Sequence, residues 1–341
     1  MSDPNFTDFL PRRAMRPTAR TWAKHSLLLL LTICTATIAG VFEPFGPNQF
    51  FPNANPQTWD EIFQFLVSIP TQYGESIGLI IYKLLTDFET LAYGLKFSLS
   101  LLFILTCHEA GHYIACRIYG VDATLPYFIP TPPLIGPAGT LGAFIKILSP
   151  LPSRKATFDI GVAGPIAGFI ALIPVAFLMF YTLKQVPTQA GQEIMVGDIV
   201  FSDPLLIRIL DLFFNIDLHL LVYQNPFYAA TWMGLLVTSL NLIPSGQLDG
   251  GHAVYAVFGE RIHNWTGKIA FGIMVTLSIL GFYFYSSPSA LLFTILLGIM
   301  MRIRHPEPLD NTPLDAKRKV IAFLTLVIFI LCFTPFPIQI R

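Results

Sequence analysis

The sequence is poor in charged residues and in paired cysteines. Charged residues make up 12% of the 341 positions, whereas a soluble domain carries about 25%. The four cysteines are Cys34, Cys107, Cys116 and Cys332, and none forms a CxxC pair, which argues against a disulfide framework or a cysteine zinc site. Basic and acidic residues balance at 21 each. The chain therefore lacks the basic excess that would indicate a nucleic-acid partner.

Apolar residues are abundant instead. They make up 53% of the chain, and the mean hydropathy is +0.61. We predict an all-α polytopic membrane protein with about seven transmembrane helices, because a helix of about 20 apolar residues crosses a bilayer. The predicted spans lie at 26–42, 94–117, 160–183, 228–245, 267–285, 288–302 and 319–336.

The first span follows a polar, basic tail. A cleaved signal peptide is the alternative, but the tail is long, the apolar run exceeds an ordinary signal core, and no A-x-A site follows. We predict an uncleaved anchor with a cytoplasmic N-terminus, because this orientation places most Lys and Arg residues inside. The expected setting is a bacterial cytoplasmic membrane. The chain then divides into a tail, anchor and external amphipathic segment over 1–90, an intramembrane core over 91–302, and a cytoplasmic loop with the last helix over 303–341.

Two segments on the inner side cannot be continuous helices. Residues 121–157 are rich in proline up to Pro137, and a strand-like stretch follows over Gly139–Ile147. We predict a short β-hairpin or loop here, dipping into the membrane between the second and third spans where protein shields its backbone. The second segment is Asn241–Gly251, where proline and glycine interrupt a helix.

The most informative motif is His108-Glu109-Ala110-Gly111-His112, an H-E-x-x-H pattern within the second predicted span. Histidines four residues apart lie on one helix face and can share a metal ion. Glu109, beside them, can accept a proton from water that the metal activates. The alternative is that these side chains only bond to neighbouring helices. Three such groups on one buried turn are costly in a membrane, so a functional role is favoured.

A metal site of this type needs a third protein ligand. The candidate is Asp249, in Asn241-Leu-Ile-Pro-Ser-Gly-Gln-Leu-Asp249-Gly250, at the inner end of the fourth span. An ordinary turn aspartate is the alternative, since Asp-Gly is a common turn signal. His252 is either an accessory site residue or a polar turn residue. Cys116, one turn after His112, is a minor ligand candidate.

Together these residues resemble the site-2 protease family of intramembrane metalloproteases, which carries H-E-x-x-H on one transmembrane helix and N-x-x-P-x-x-x-x-D-G on another. Both patterns are intact, and the resemblance covers roughly residues 90–300. It implies one zinc ion held by His108, His112 and Asp249, with Glu109 as the general base. It also implies that substrate or oxyanion contacts come from Asn241, Pro244 and Gly250.

The predicted function is hydrolysis of peptide bonds in transmembrane or membrane-adjacent segments of protein substrates. The strand-like stretch could hold the substrate extended by β-augmentation, or merely close the cavity floor. A membrane di-iron hydroxylase would need more clustered histidines than the one pair among seven. A transporter or a catalytically silent binding protein of the same fold is the remaining alternative, against which the intact Glu109 argues.

Overall fold

The computed structural model describes residues 14–42, 44–48, 58–133, 135–136, 138–183, 199–214, 225–303 and 305–340. Pro137 and most of the predicted outer loop 184–227 lie outside these residues. The helices are α1 (Ala19–Gly40), α2 (Trp59–Thr86), α3 (Phe88–Ile118), α4 (Arg154–Leu183), α5 (Leu205–Phe214), α6 (Pro226–Asn241), α7 (Asp249–Phe258), α8 (Glu260–Tyr285), α9 (Ser289–Met300) and α10 (Ala316–Cys332). The strands are β1 (Tyr127–Pro130), β2 (Thr140–Phe144), β3 (Ile199–Phe201) and β4 (Ile338–Ile340).

Four of the described helices are long and apolar enough to cross a membrane. They are α1, α3, α4 and α8, with mean hydropathies between 1.4 and 2.3 in their most apolar windows. The apolar helix α9 has 12 residues, while α6 has 16 and α10 has 17, which is short for a full bilayer crossing. The chain is therefore mostly helical and carries four candidate spans by length and composition.

Helices α3, α4 and α6 form the centre of the structure. The side chain of Asp87 caps α3 by accepting hydrogen bonds from the backbone N–H groups of Glu89 and Thr90. Buried apolar side chains of the three helices, including Leu105, Leu172 and Trp232, pack into one core. This packing fixes the part of α3 that carries the H-E-x-x-H motif.

Helix α1 runs antiparallel to α3. Near the end of α1, the hydroxyl groups of Thr37 and Ser98 lie 2.8 Å apart. Arg117, at the end of α3, donates hydrogen bonds to the backbone carbonyl groups of Ala14 and Met15, which precede α1. The beginning of α1 and the end of α3 therefore lie on the same side of the molecule.

The segment between α3 and α4 forms a small antiparallel sheet. Strand β1 pairs with β2, with Tyr127 opposite Phe144, and an isolated bridge joins Ala123 to Ile147. The predicted strand-like stretch thus contains β2. A second antiparallel pair joins β3 to β4, with Phe201 opposite Ile338.

Backbone contacts hold the segment before α10 against the start of α4. The N–H of Leu309 donates to the carbonyl of Leu151, and the N–H of Arg154 donates to the carbonyl of Asp310. Arg318 of α10 forms an ion pair with Asp159 of α4. The segment before α10 is consequently held against the start of α4.

Helix α6 ends at Asn241, and α7 begins eight residues later at Asp249. The intervening turn occupies the segment where the sequence predicts a helix break, and Gly246 adopts a φ of 56° within it. The turn packs tightly on the start of α7, because a Cβ atom at Gly250 would lie 2.0 Å from the carbonyl oxygen of Leu242. This packing sets the direction in which α7 presents its first side chain.

Candidate metal centre

His108 and His112 lie one turn apart on α3, and both side chains are buried. Their Nε2 atoms are 3.2 Å apart. Two imidazoles in this arrangement direct two ring nitrogens at one point. The helical spacing alone explains their common face, while burial against α4 explains their fixed orientation.

Asp249 brings a carboxylate to the same point from α7. Its Oδ2 atom lies 3.2 Å from His108 Nε2 and 3.3 Å from His112 Nε2. Within the described residues, these three form the one group of His, Cys, Asp and Glu side chains whose ligand atoms could share a metal ion. The structure therefore brings together the three residues that the sequence predicts as ligands, although Asp249 follows His108 by 249 − 108 = 141 positions.

The spacing of these atoms fits a zinc ion. Zinc bonds of about 2.0–2.2 Å in tetrahedral geometry place neighbouring ligand atoms about 3.3–3.6 Å apart. The observed triangle has edges of 3.2, 3.2 and 3.3 Å. Two imidazoles and one carboxylate are also a donor set that zinc accepts, with a fourth position left for water or substrate.

The orientation of His112 is the one that a metal-binding histidine requires. Its Nδ1 atom lies 2.6 Å from the carbonyl oxygen of Ile160, which can only accept, so Nδ1 carries the hydrogen. In the neutral ring, Nε2 then presents a lone pair toward the carboxylate of Asp249. Two lone pairs this close repel unless a cation lies between them. A backbone carbonyl that fixes the tautomer in this way is typical of metal-binding histidines.

Three glycines on α4 make room for the histidines. A Cβ atom at Gly164 would lie 2.0 Å from His112 Nε2, and one at Gly168 would lie 3.1 Å from the Cβ of His108. A Cβ at Gly161 would lie 2.7 Å from the Cβ of His252. The GxxxG spacing of Gly164 and Gly168 in the sequence predicts close helix packing in general. The structure shows that the packing partners are the site histidines themselves, which the GxxxG spacing could not reveal.

Glu109 is buried beside the three ligands and faces the segment that follows β2, where its carboxylate interacts with the backbone N–H of Ile145. The amide nitrogen of Asn241 lies 3.3 Å from His108 Nε2, so this predicted residue also reaches the centre. Pro244 and Gly250 do not. They line a separate cavity behind α7, and their predicted part in substrate binding stays a prediction.

Two cavities meet at the centre. One, of about 580 Å³, is lined mainly by apolar side chains such as Leu101, Trp232 and Phe293. The other, of about 700 Å³, contains polar and charged groups, including Lys146 and Glu307. The residues that line both cavities are His108, Glu109, Ala143, Asn241 and Leu248. The centre is thus reached by an apolar route and by a polar route.

His252 lies in the polar cavity and contacts a residue that sequence reasoning did not connect with it. Its Nδ1 atom is 2.7 Å from Nε2 of His305, which stacks on the ring of Tyr255. Burial lowers the pKa of His305 to about 3, so this ring is neutral at ordinary pH. The contact spans 53 positions, and no local pattern in the sequence indicates it. Cys116 is fully buried in an apolar cluster and is not among the three grouped ligands.

Comparison with known proteins places these features in context. The sequence model of a protein family described as Peptidase family M50 matches residues 96–281, more than half of the chain. The chain is similar to "Probable zinc metalloprotease EGY1, chloroplastic" from Arabidopsis thaliana, with 31% identity over 260 residues that cover 75% of this chain and 44% of that protein. The protein of the same name from Oryza sativa subsp. japonica is 32% identical over 235 residues, 68% and 38% of the two chains. "Probable zinc metalloprotease EGY2, chloroplastic" from Arabidopsis thaliana is 26% identical over 279 residues, 80% and 48% of the two chains. The chain spans less than half the length of each of these relatives.

The prediction of a bacterial cytoplasmic membrane is wrong. All three relatives are named as chloroplastic and not as bacterial, while helices able to cross a membrane are present among the described residues. The distribution of Lys and Arg residues orients a protein across a membrane but carries no signal for which membrane it is. The side predicted as cytoplasmic is therefore called the basic side below, because most Lys and Arg residues lie there.

Proposed function

The chain belongs to peptidase family M50, the family of site-2 proteases, and from this membership we propose that it is an intramembrane zinc metalloprotease. Its substrates would be transmembrane or membrane-adjacent segments of other membrane proteins. The observation that carries the proposal is the convergence of His108, His112 and Asp249 beside Glu109, where two cavities meet. A silent binding protein or a transporter is less favoured, because neither needs an intact Glu109.

Each residue of the centre has a proposed task. A bound zinc ion supplies Lewis acidity, which activates water and polarises a peptide carbonyl. His108, His112 and Asp249 hold it, and the carbonyl of Ile160 keeps His112 in the tautomer that leaves Nε2 free to bind. Glu109 accepts a proton from the attacking water and returns it to the amine that leaves.

Asn241 is proposed to contact the substrate. Its amide lies beside the ligands and lines both cavities, so it can donate a hydrogen bond to a peptide carbonyl bound there. Such a donor stabilises the negative charge that develops on that oxygen during hydrolysis. For Pro244 and Gly250, the geometry supports a smaller task, which is to shape the turn that positions Asp249.

The two cavities suggest how substrate and water arrive. An apolar segment of a membrane protein can enter the apolar cavity, while water enters through the polar one. Strand β2 lines the apolar cavity from Thr140 to Ala143, and the backbone from Ala143 to Ile147 lines the polar cavity. We propose that this backbone holds the substrate extended across Glu109 by β-augmentation. An extended backbone is required, because a helix hides its carbonyl groups in hydrogen bonds.

The seven-span arrangement is proposed as the finer description of the fold, with α6, α9 and α10 added to the four long helices. Contacts between loops support it. The segment before α10 contacts the start of α4 at Arg154, and both are predicted on the basic side. Strand β4 contacts β3 and the Ser287 hydroxyl, and all three are predicted on the opposite side. The depth of the β1–β2 pair in the membrane and the three-part division of the chain are also proposals.

The test is a comparison of Glu109→Gln with the unaltered protein and with Glu89→Gln, an exposed change at the start of the same helix. Glutamine keeps the size of the side chain but cannot accept the proton. We expect Glu109→Gln to abolish cleavage with zinc still bound, and Glu89→Gln to change neither. Comparative membrane proteomics should then reveal transmembrane proteins that accumulate uncut only in Glu109→Gln. Loss of zinc together with activity would contradict the assignment of Glu109 as the base.

A further inference from the structure

A groove separates α7 from α10 on the face of α7 that points away from the metal centre. Asp249 and His252 of α7 line the polar cavity, whereas Val254 and Val257 line this groove. Its volume is about 620 Å³. The opposite wall is α10, which packs mainly against α4 and α6 and leaves the gap along α7. We call it the α7–α10 groove.

The walls of the α7–α10 groove are apolar with one cation at one end. Lys319 is the only charged side chain among the described residues that line it. This side chain is exposed and makes no ion pair with any described residue. The one polar wall residue, Thr325, already donates its hydroxyl to the carbonyl of Ile321. The groove therefore offers a ligand one positive charge and apolar side-chain contact, with no second charged side chain among the described residues.

The cation and the apolar walls lie at different depths. Lys319 is in the first turn of α10, close to the contacts between the preceding segment and Arg154 on the basic side. Phe329 lines the other end, ten residues further along α10, which is about 15 Å at 1.5 Å per residue. The charge is thus near the membrane surface, and the apolar walls extend from it into the membrane.

The chemistry of the walls decides between two kinds of occupant. An apolar transmembrane helix would contact the apolar walls but would leave Lys319 without a partner. An extended acyl chain makes the same apolar contacts. A lipid also supplies a charged headgroup at the depth of Lys319, which an apolar helix does not.

We propose that the α7–α10 groove binds one anionic glycerolipid, with an acyl chain between Val254 and Phe329 and the headgroup phosphate on Lys319. Basic pockets between transmembrane helices bind anionic headgroups in this way. The bound lipid packs against α7 from behind, and α7 begins with Asp249. It therefore stabilises the helix that carries the third metal ligand, whatever the substrate is.

The test uses the full-length, zinc-loaded protein in nanodiscs of phosphatidylcholine alone or mixed with phosphatidylglycerol. Lipid retained after detergent exchange is counted by native mass spectrometry, and thermal unfolding is followed in parallel. We expect one retained phosphatidylglycerol per chain and a higher melting temperature in the mixture. Lys319→Gln should lower the preference for phosphatidylglycerol about fivefold, the effect of one cation at the membrane surface. Lys317→Gln, whose side chain does not line the groove, should leave it unchanged.

A second variant, Ala322→Phe, fills the α7–α10 groove without changing charge. It should lose the retained lipid of either type while zinc content stays the same. An unchanged lipid preference in Lys319→Gln would overturn the proposal. So would retained phosphatidylglycerol in Ala322→Phe. If Ala322→Phe instead changes the mass of the assembly and leaves lipid retention unchanged, the groove is occupied by a second copy of the chain.

Discussion

Replacing Gly164 by alanine should weaken metal binding although no ligand residue is changed. The added Cβ atom would lie 2.0 Å from Nε2 of His112, whereas ordinary van der Waals contact begins at 3.4 Å. The ring or the helix must therefore shift by about 1.4 Å, the difference between these distances. Zinc–nitrogen bonds of about 2.0–2.1 Å do not tolerate a shift of this size.

The magnitude can be bounded. Loss of an outer contact to a metal-binding histidine typically costs 10–100-fold in metal affinity. A methyl group in the position of the ligand nitrogen is a larger perturbation, so we expect a loss of at least about 100-fold. Gly168→Ala should cost less, because its Cβ would lie 3.1 Å from the Cβ of His108 and a small adjustment suffices. Gly272→Ala in α8 has no atom within 4 Å and should be neutral.

The assay is competition for zinc against a chelator of known affinity, with zinc content measured by mass spectrometry. Circular dichroism on the same samples shows whether Gly164→Ala is still folded. Wild-type zinc affinity in folded Gly164→Ala would refute the close packing of α4 on His112. Equal losses of zinc affinity in Gly164→Ala and Gly272→Ala would instead mean that any glycine-to-alanine change in a helix of this protein weakens zinc binding.

Three further outcomes are expected. Asp249→Ala should lower zinc affinity beyond the 10–100-fold range of outer contacts, and full zinc retention would exclude it as a ligand. Leu141→Pro and Phe144→Pro should each reduce cleavage sharply with zinc content unchanged, because proline removes a backbone donor from β2; full activity in both would mean that β2 does not pair with substrate. Cysteines introduced at Asp203 and Asp310 should react with an impermeant label from opposite sides of the membrane, and labelling from one side would refute the seven-span arrangement.

Local sequence patterns were sufficient to identify the chemical groups of the centre. The i, i+4 spacing of the histidines follows from helix geometry, and the interrupted helix after Asn241 follows from proline and glycine. Both features depend on residues close together in the chain. The convergence of Asp249 on the two histidines is long-range. The need for a third ligand and the place of Asp249 at the inner end of the fourth predicted span made it a candidate, and the resemblance to a known family implied it.

Other features of the centre could not be read from the sequence. The carbonyl of Ile160 that orients His112 is a backbone group, and any residue type could supply it. The contact between His252 and His305 joins two segments 53 positions apart, and no sequence motif links them. The division between an apolar and a polar cavity depends on which faces of α6 and α9 turn inward. Such contacts depend on tertiary packing, which periodicity does not specify.

The meeting of the two cavities has a consequence for the membrane as an electrical barrier. Water and ions that enter the polar cavity can advance to Glu109, which lies within the candidate membrane span α3. Beyond that point they meet the apolar cavity, where side chains such as Leu101, Trp232 and Phe293 offer no partner for an ion. An apolar passage empties of water more readily than a polar one, and this blocks conduction. A chain that admits water to this centre can therefore leave the ion gradient across its membrane intact.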